Sequence, residues 1–354
     1  MAWLPDLTRP PFAGAPVATF VAAPADGVLP DRFFSTSNLP TYVHLDTGWE
    51  APIRPRMDCV IVQRDGLLDT VELRKVRHGE PVLTALDEHG SEGVVVSTDG
   101  FLGQTYGANE FQFMGTEVSR ERPVNYDDLA ERVREEKHQG GYLIWVTGPA
   151  LVHARARNDF EWLIANGYVQ ALLAGNAVAV HDIEAAIYGT TLGMDNSGRP
   201  TQGGHGLHMR AINAVRRAGS IRAAVESGLI KSGIMHAIVT RNIPFVLAGS
   251  IRDDGPLPEV ITDNLRAQDA MREHTIKATG AVFIATALHA IAVGNMLPAF
   301  HTHTPDGRPT PLMTICVDQT EFVVNKLRDR GTHQAFGVVT NAQDFMHILR
   351  MALE

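Results

Sequence analysis

From Tyr142 to its last residue the chain alternates short apolar runs with longer amphipathic segments, and this alternation restricts the fold more than any other feature. The runs Tyr142–Thr147, Ala171–Ala174 with Ala177–Val180, Ile243–Ala248, Ala281–Ala285, Met313–Val317 and Ala335–Val339 read as strands. They are almost continuously hydrophobic, as strands covered on both faces must be. Apolar periodicity predicts helices between and after them over His208–Glu226, Arg266–Ala278, Thr320–Arg330 and Ala342–Leu353. Strands that alternate with helices give an α/β fold, a parallel doubly wound sheet with helices on both faces.

The upstream chain has a different character. Residues 1–30 are rich in Pro, Ala and Gly without a period and are expected to form an extended arm. Residues 31–122 carry strand-like runs at Thr41–Leu45, Asp58–Val62, Val71–Val76, Pro81–Thr84 and Gly93–Ser97, separated by Gly-containing turns, which predicts a small β-rich N-terminal domain. Asn125–His138 has the pattern of an amphipathic helix with Asp127 and Asp128 in its first turn, and it opens an α/β domain over 123–354.

Charge and cysteine usage narrow the function. A formal net charge of -9 argues against a general binder of the phosphate backbone, so no nucleic-acid partner is expected. Cys59 and Cys316 both sit in apolar runs, as buried strand thiols of a reducing compartment do. The stretch Ala281–Phe300 is long and nearly uncharged, but His289, Gly294, Asn295 and Pro298 divide it into a strand and a short helix. It is read as core, and a cytoplasmic protein without membrane contact is expected.

No G-x-G-x-x-G follows a strand, and no Walker A, His-Glu-x-x-His or Gly-x-Ser-x-Gly motif is present. The strand ends carry glycine and small polar groups instead. These are Thr147-Gly-Pro149, Ala174-Gly-Asn-Ala177, Ala248-Gly-Ser250, Ala285-Thr-Ala-Leu-His289 and Val317-Asp318. Such ends present backbone N–H groups to phosphate, and a carboxylate like Asp318 accepts ribose hydroxyls, so together they point to a nucleotide cofactor. Beyond Gly249-Ser250 the chain delivers Arg252, Asp253 and Asp254 into a loop closed by Gly255-Pro256. The competing reading of that loop is a solvated surface turn. His181-Asp182 reads as the start of a helix rather than a metal site, and His301 and His303 as part of a solvated loop. His205, in Gly203-Gly-His-Gly-Leu-His208, is either a titrating group beside a ligand or part of the loop that leads into a helix. Arg216, Arg217, Arg222 and Arg252 are candidates to clamp a carboxylate, each against the plain reading of a solvated cation. Lys231 reads as a surface lysine.

Several stretches together resemble a known family. They are Ala174-Gly-Asn-Ala-Val-Ala-Val-His-Asp-Ile-Glu-Ala-Ala, Arg216-Arg-Ala-Gly-Ser-Ile-Arg-Ala-Ala-Val, Leu247-Ala-Gly-Ser-Ile-Arg-Asp-Asp-Gly-Pro-Leu-Pro-Glu-Val, Thr286-Ala-Leu-His-Ala-Ile-Ala-Val-Gly-Asn and Asp329-Arg-Gly-Thr-His-Gln-Ala. Asn38-Leu-Pro-Thr-Tyr-Val and Phe113-Met-Gly-Thr-Glu-Val-Ser-Arg-Glu-Arg-Pro extend the match into the β-rich domain. The sequence resembles the archaeal-type ornithine cyclodeaminases, the LOR/SDH domain family, whose domain also forms the C-terminal part of cyanobacterial arginine dihydrolase/ornithine cyclodeaminases. The resemblance implies a deoxyhypusine-synthase-like NAD-binding sheet and bound NAD. It implies cofactor contacts from Asn176, Ala177, Asp254, Thr286, Ala287, Leu288, His289 and Asp318.

The sequence departs from the family pattern in places. Asn341 stands where many relatives have an acidic residue, an extra loop runs from His301 to Pro311, and Lys231 replaces a small hydroxyl residue. The N-terminal ferredoxin-like extension of long members is expected to be missing.

The function implied is a lyase of amino-acid metabolism and proline biosynthesis. It is an NAD-dependent cyclodeaminase that converts ornithine, or a close basic amino acid, to proline, or a cyclic imino acid, plus ammonia, with NAD recycled within the turnover. Asp253 or His205 is expected to do the acid/base work and Arg252 to hold the substrate carboxylate. A homo-oligomer, dimer or tetramer, is expected by analogy of fold. The alternatives are an NAD-dependent amino-acid or opine-type dehydrogenase and a non-catalytic NAD-binding regulator.

Overall fold

The computed structural model describes residues 5–37, 39–97, 124–195, 197–253, 255–298, 300–301, 310–330 and 336–354. The chain divides into two compact units. One comprises Met1–Phe113, Gly294–Leu312 and Arg328–Gln334, and the other Met114–Val293, Met313–Leu327 and Ala335–Glu354.

The first unit is β-rich. Its strands are β1 (Thr19–Ala22), β2 (Thr41–Leu45), β3 (Gly48–Glu50), β4 (Val60–Arg64), β5 (Leu67–Val71), β6 (Pro81–Thr84) and β7 (Val94–Val96). They form an antiparallel sheet in the order β1-β6-β4-β5 and a second one in the order β3-β2-β7. Strand alternation supplies two cores: Ile61 packs with Phe34, Val43, Leu68, Leu83 and Val94, while Val60 and Val62 pack with Val71 and Val82. The arm read at residues 1–30 contributes β1, which pairs with β6 along its whole length. The run Val71–Val76 does not continue as a strand: β5 ends at Val71 and Leu73–Lys75 form one tight helical turn. The aliphatic pattern misled there because Leu73 is exposed rather than core.

In the second unit, α1 (Tyr126–His138) is capped by Asn125, whose side chain accepts from Asp128 N. Then follow β8 (Leu143–Thr147), α2 (Ala150–His153), α3 (Arg157–Ala165), β9 (Ala171–Gly175), α4 (Asn176–Tyr188), α5 (Leu207–Ala218), α6 (Ile221–Glu226), α7 (Ile234–Thr240), β10 (Phe245–Ala248), β11 (Val260–Ile261), α8 (Asn264–Thr275), β12 (Gly280–Ile284) and α9 (Ala287–Met296). A two-stranded ribbon, β13 (Phe300–His301) with β14 (Thr310–Pro311), belongs to the first unit. The chain ends with β15 (Met313–Asp318), α10 (Glu321–Arg330), β16 (Phe336–Val339) and α11 (Ala342–Leu353).

Seven parallel strands form one sheet in the order β11-β10-β9-β8-β12-β15-β16. The chain starts in the middle at β8, runs outward to β11, and returns to β12 on the other side of β8. This is the doubly wound arrangement read from the alternation, and the reversal between β8 and β12 opens a crevice at the strands' carboxyl ends. The strands are covered on both faces, as their composition requires: Leu143, Ile144, Trp145 and Val146 are all buried. The buried indole of Trp145 donates to Tyr168 O at 2.9 Å, which satisfies its one polar atom.

Two predicted boundaries move. Ala177–Val180, read as the second half of a strand, lies in α4, and His181-Asp182 sits inside that helix rather than at its start. The helix is buried on nearly every side, so its Ala and Val residues alternate without marking a strand, and packing overrides their β preference. The predicted helix His208–Glu226 is two: Gly219 turns the chain at φ +93 and the Ser220 side chain caps α6 by accepting from Ala223 N. The stretch Ala281–Phe300 does split into a strand and a short helix, and no helix among the described residues is long and apolar enough to cross a membrane.

Helix α7 starts without a cap of its own, because Gly233 precedes it. The fully buried Asp182 of α4 serves instead. Its carboxylate accepts from Ile234 N at 2.9 Å, Met235 N at 2.7 Å and Arg157 Nε at 2.6 Å. Gly233 is pressed so close that a Cβ there would lie 1.9 Å from Arg157 Nη2. Asp182→Asn keeps the shape but removes the charge that balances Arg157, and should destabilise the fold by about 3 kcal/mol. The urea midpoint should fall with an unchanged slope; a midpoint equal to the parent's would mean that Asp182 does not anchor α7.

Candidate functional site

The crevice is built from five strand ends, and its floor is the contact between two of them. Gly148, just after β8, donates its N–H to Ile284 O of β12 at 2.9 Å. Ala285 follows β12 at φ +56, a left-handed conformation unusual for a residue with a Cβ. That turn brings its carbonyl against Gly148, where a Cβ would lie 1.7 Å from Ala285 O. Only glycine fits there. Thr147 at the end of β8 is fully buried, and its Oγ1 has no hydrogen-bond partner among the described residues.

His289 lies in the first turn of α9, and its ring reaches Gly175 at the end of β9, where a Cβ would lie 2.8 Å from Cε1. Strands β9 and β12 flank β8, so the imidazole spans the β8 end between them. Burial holds its pKa below the ordinary histidine value.

On the β10 side a loop is tied down from several directions. Asn176, the first residue of α4 and buried, donates from Nδ2 to Asp253 Oδ1 at 3.1 Å and accepts from Leu257 N at 3.1 Å. The other oxygen of Asp253 accepts from Ser250 N at 2.7 Å. Arg216 of α5 donates twice to Pro256 O, at 3.1 and 2.9 Å, and Glu259 accepts from Ile221 N at the start of α6. From this braced loop Ile251 and Arg252 project into solvent. The Arg252 guanidinium makes no hydrogen bond or ion pair among the described residues. Arg216, one of the candidate carboxylate clamps, is thus a fastening of the loop.

On the other side Asp318 closes β15 with one oxygen accepting from both Thr320 N and Thr320 Oγ1 at 3.0 Å, which leaves its second oxygen for other donors. Thr286 is half-buried, and Ala287 and Leu288 are exposed at the start of α9. The sheet edge thus gathers Asn176, Ala177, Arg252, Asp253, Thr286, Ala287, Leu288, His289 and Asp318; Asp318 and Asn176 are three strand spacings apart, about 14 Å. Asp254 lies outside the described residues, as do the Phe113–Pro123 motif and most of the His301–Pro311 loop. Asn341 caps α11 by accepting from Asp344 N at 2.8 Å. Exposed His205 lies away from this edge, in a turn before α5 whose far end carries Arg216 about 16 Å along the helix axis.

Sequence reasoning missed one constellation. His153 of α2, His181 and Glu184 of α4, and His208 of α5 come together beneath the β8 and β9 ends. The His153 and His181 rings lie edge to face with centroids 4.6 Å apart, and those of His181 and His208 are 6.5 Å apart. Glu184 is fully buried and accepts from His181 Nδ1 at 3.2 Å, Gly193 N at 2.9 Å, Thr190 Oγ1 at 3.0 Å and Leu192 N at 3.1 Å. Burial opposes its charge, but the bonds from His181, Gly193, Thr190 and Leu192 outweigh that and hold its pKa below the ordinary carboxylate value. His153 pairs with Thr191 Oγ1 at 2.5 Å. The i, i+3 spacing of His181 and Glu184 was the available signal, since it puts both on one helix face. No group of three or more His, Cys, Asp or Glu among the described residues is placed to hold a metal ion.

Residues 127–349 match the family described as arginine dihydrolase ArgZ-like, C-terminal, Rossmann fold, and residues 40–126 match arginine dihydrolase ArgZ-like, C-terminal, first region. The chain is similar to the ornithine cyclodeaminase of Methanopyrus kandleri, with 44% identity over 331 residues, which cover 92% of this chain and 75% of that one. Among solved structures it is similar to a LOR/SDH protein from Methanococcus maripaludis S2, with a TM-score of 0.84 and 40% identity, covering 96% of this chain and 98% of that one. It is also similar to AgrE in ternary complex with ornithine and NAD+, with a TM-score of 0.60 and 35% identity, covering 96% of this chain and 46% of that one.

The His153 environment gives a prediction on acid stability. Burial, with the neighbouring His181, pushes its pKa down from 6.5 to about 4. Between those values the unfolded chain takes up a proton that the folded chain refuses, so stability present at neutral pH is lost as the pH falls from 6.5 towards 4. His153→Gln should flatten that slope. Urea midpoints at a series of pH values check it, and parallel curves for parent and variant would show that His153 does not titrate in this window.

Proposed function

The chain belongs to the ArgZ-like C-terminal family, and on that premise we propose that it is an NAD-dependent ornithine cyclodeaminase that forms proline and ammonia. The observation that carries the reading is the crevice at the sheet's reversal point, where two helix N-termini, a glycine floor and the Asp318 carboxylate share one edge. These residues fit a dinucleotide. The starts of α4 and α9 offer backbone N–H groups at Asn176, Ala177, Ala287 and Leu288 for its phosphates. The second oxygen of Asp318 would take a ribose hydroxyl, and Thr147 Oγ1 is a buried polar atom without a partner among the described residues. Thr286 and His289 line the same edge.

When bound, NAD would supply an acceptor for the hydride of the substrate's α-carbon and return it at the end of the turnover. The chain's own groups hold and orient the substrate. Arg252 would receive the α-carboxylate, because its guanidinium has no partner among the described residues and its loop is braced. Asp253 spends both carboxylate oxygens on that bracing and so sets where Arg252 stands. Ammonia is a poor leaving group from a saturated carbon. It leaves readily once the α-carbon is an imine and the δ-amine has closed a five-membered ring on it. A site that holds the chain bent raises the rate of that closure.

Two measurements test the reading. Ornithine carrying deuterium at the α-carbon and nitrogen-15 at the α-amine should yield proline that keeps the deuterium, with the nitrogen-15 released as ammonia. Stoichiometric accumulation of NADH would instead identify a dehydrogenase, and no turnover of any amino acid a regulator. Asp318→Ala should weaken NAD binding by about 1.5–3 kcal/mol, read by isothermal titration; an unchanged affinity would remove Asp318 from the ribose site.

A further inference from the structure

The proposed reaction needs a base, because the substrate's α-amine is protonated at neutral pH and must lose that proton before the α-carbon can be oxidised. The two groups that the sequence offers are poorly placed for it. Each oxygen of Asp253 accepts a bond that braces its own loop, from Ser250 N and from Asn176 Nδ2, and His205 is exposed with no partner among the described residues to orient it. We propose that His181, held by the buried carboxylate of Glu184, is the base that takes the proton from the substrate's α-ammonium. The assignment rests on the cyclodeaminase reading and deepens it.

An ionised carboxylate can only accept, so Nδ1 of His181, 3.2 Å from Glu184 Oε2, carries the hydrogen. That fixes the tautomer and leaves Nε2 with its lone pair and no partner among the described residues. The same carboxylate accepts from Gly193 N, Thr190 Oγ1 and Leu192 N, so it cannot swing away. A carboxylate behind an imidazole, buried and fixed by further donors, is the arrangement that makes a histidine both oriented and able to bear charge.

The carboxylate of Glu184 stands behind the His181 ring, and burial holds the adjacent His153 neutral. Among the described residues, the titratable groups on elements packed against α4 that face the ring are His153 of α2, His208 of α5 and Glu184 of α4 itself. The α7 side of the helix is served by Asp182, which is spent on Arg157 and the start of α7. His153 is held neutral by burial and by His181, so a proton arriving on His181 meets one carboxylate and no cation from His153.

Position also fits. His181 lies five residues into α4, about 7.5 Å along its axis from Asn176 at the sheet edge, and helical side chains lean towards the N-terminus. His153 is in the first turn after the β8 end, with its N–H bonded to Pro149 O at 3.2 Å.

The step balances simply. One N–H bond of the α-ammonium breaks and one forms at Nε2; the positive charge passes to the ring and no electrons are transferred. The proton is available to return to the amine that leaves as ammonia.

The first test needs no variant. Nitrogen-15 NMR of the labelled protein at neutral pH should show His181 protonated at Nδ1 and bare at Nε2; the opposite tautomer overturns the assignment. The second uses His181→Asn and His181→Gln, each checked for folding by circular dichroism. The parent's kcat/KM for ornithine should fall on the acid side as the base is protonated. Both variants should lose about 10²–10⁴-fold in kcat/KM and lose the acid limb with it. An active parent whose variants keep the limb overturns the base assignment alone. A parent that converts no ornithine overturns the cyclodeaminase reading, and the base with it.

Discussion

The contact between Gly148 and the carbonyl of Ala285 is the constraint on which the crevice depends. Strands β8 and β12 are neighbours in the sheet but far apart in the chain, because the winding reverses between them. Here they are locked to each other by Gly148 N to Ile284 O and by a carbonyl that fills the space of a Cβ. The left-handed turn at Ala285 is what swings that carbonyl inward, and it sets where α9 begins and where His289 falls. A backbone contact of this kind tolerates no side chain and little displacement, so it fixes the floor against which the neighbouring loops are aligned.

Around that floor, buried carboxylates and amides do most of the placing. Asp182 starts α7, Glu184 gathers the turn Thr190–Gly193, and Asn176 with Asp253 ties the Arg252 loop to α4. Each is hydrogen-bonded by backbone N–H groups, by neighbouring side chains or by a cation, which is the condition under which burying a polar group costs little. The consequence for chemistry is a division of labour. Carboxylates bonded on every side by the protein, as Asp182 and Glu184 are, have little left for a substrate, while among the described residues the groups with unused capacity are the Arg252 guanidinium, one oxygen of Asp318, Thr147 Oγ1 and His181 Nε2.

Much of this protein was legible from its sequence. The parallel sheet followed from runs of residues that are apolar at every position, since only strands covered on both faces are built so, and the observed strands lie within a residue or two of those runs at β8, β10, β12 and β15. The strand ends were legible too, because glycine and small polar residues after an apolar run mark where a chain leaves the sheet. Helix starts announced themselves where capping is local, as at Asn125.

What the sequence did not determine depends on contacts between residues far apart in the chain. Periodicity could not distinguish a strand from a wholly buried helix at Ala177–Val180, because both are apolar on every side and only packing decides. Nor could residue type separate a carboxylate that fastens a loop from one that is free to act: Asp253 and Asp318 look alike in sequence, and their difference is which donors the fold brings to each oxygen. His153 and His208 gained meaning only when α2, α4 and α5 converged. The sequence alone specified local propensities and one-dimensional patterns. The tertiary structure decided which polar atoms were left with capacity to spare, because hydrogen-bond partners are allotted in three dimensions.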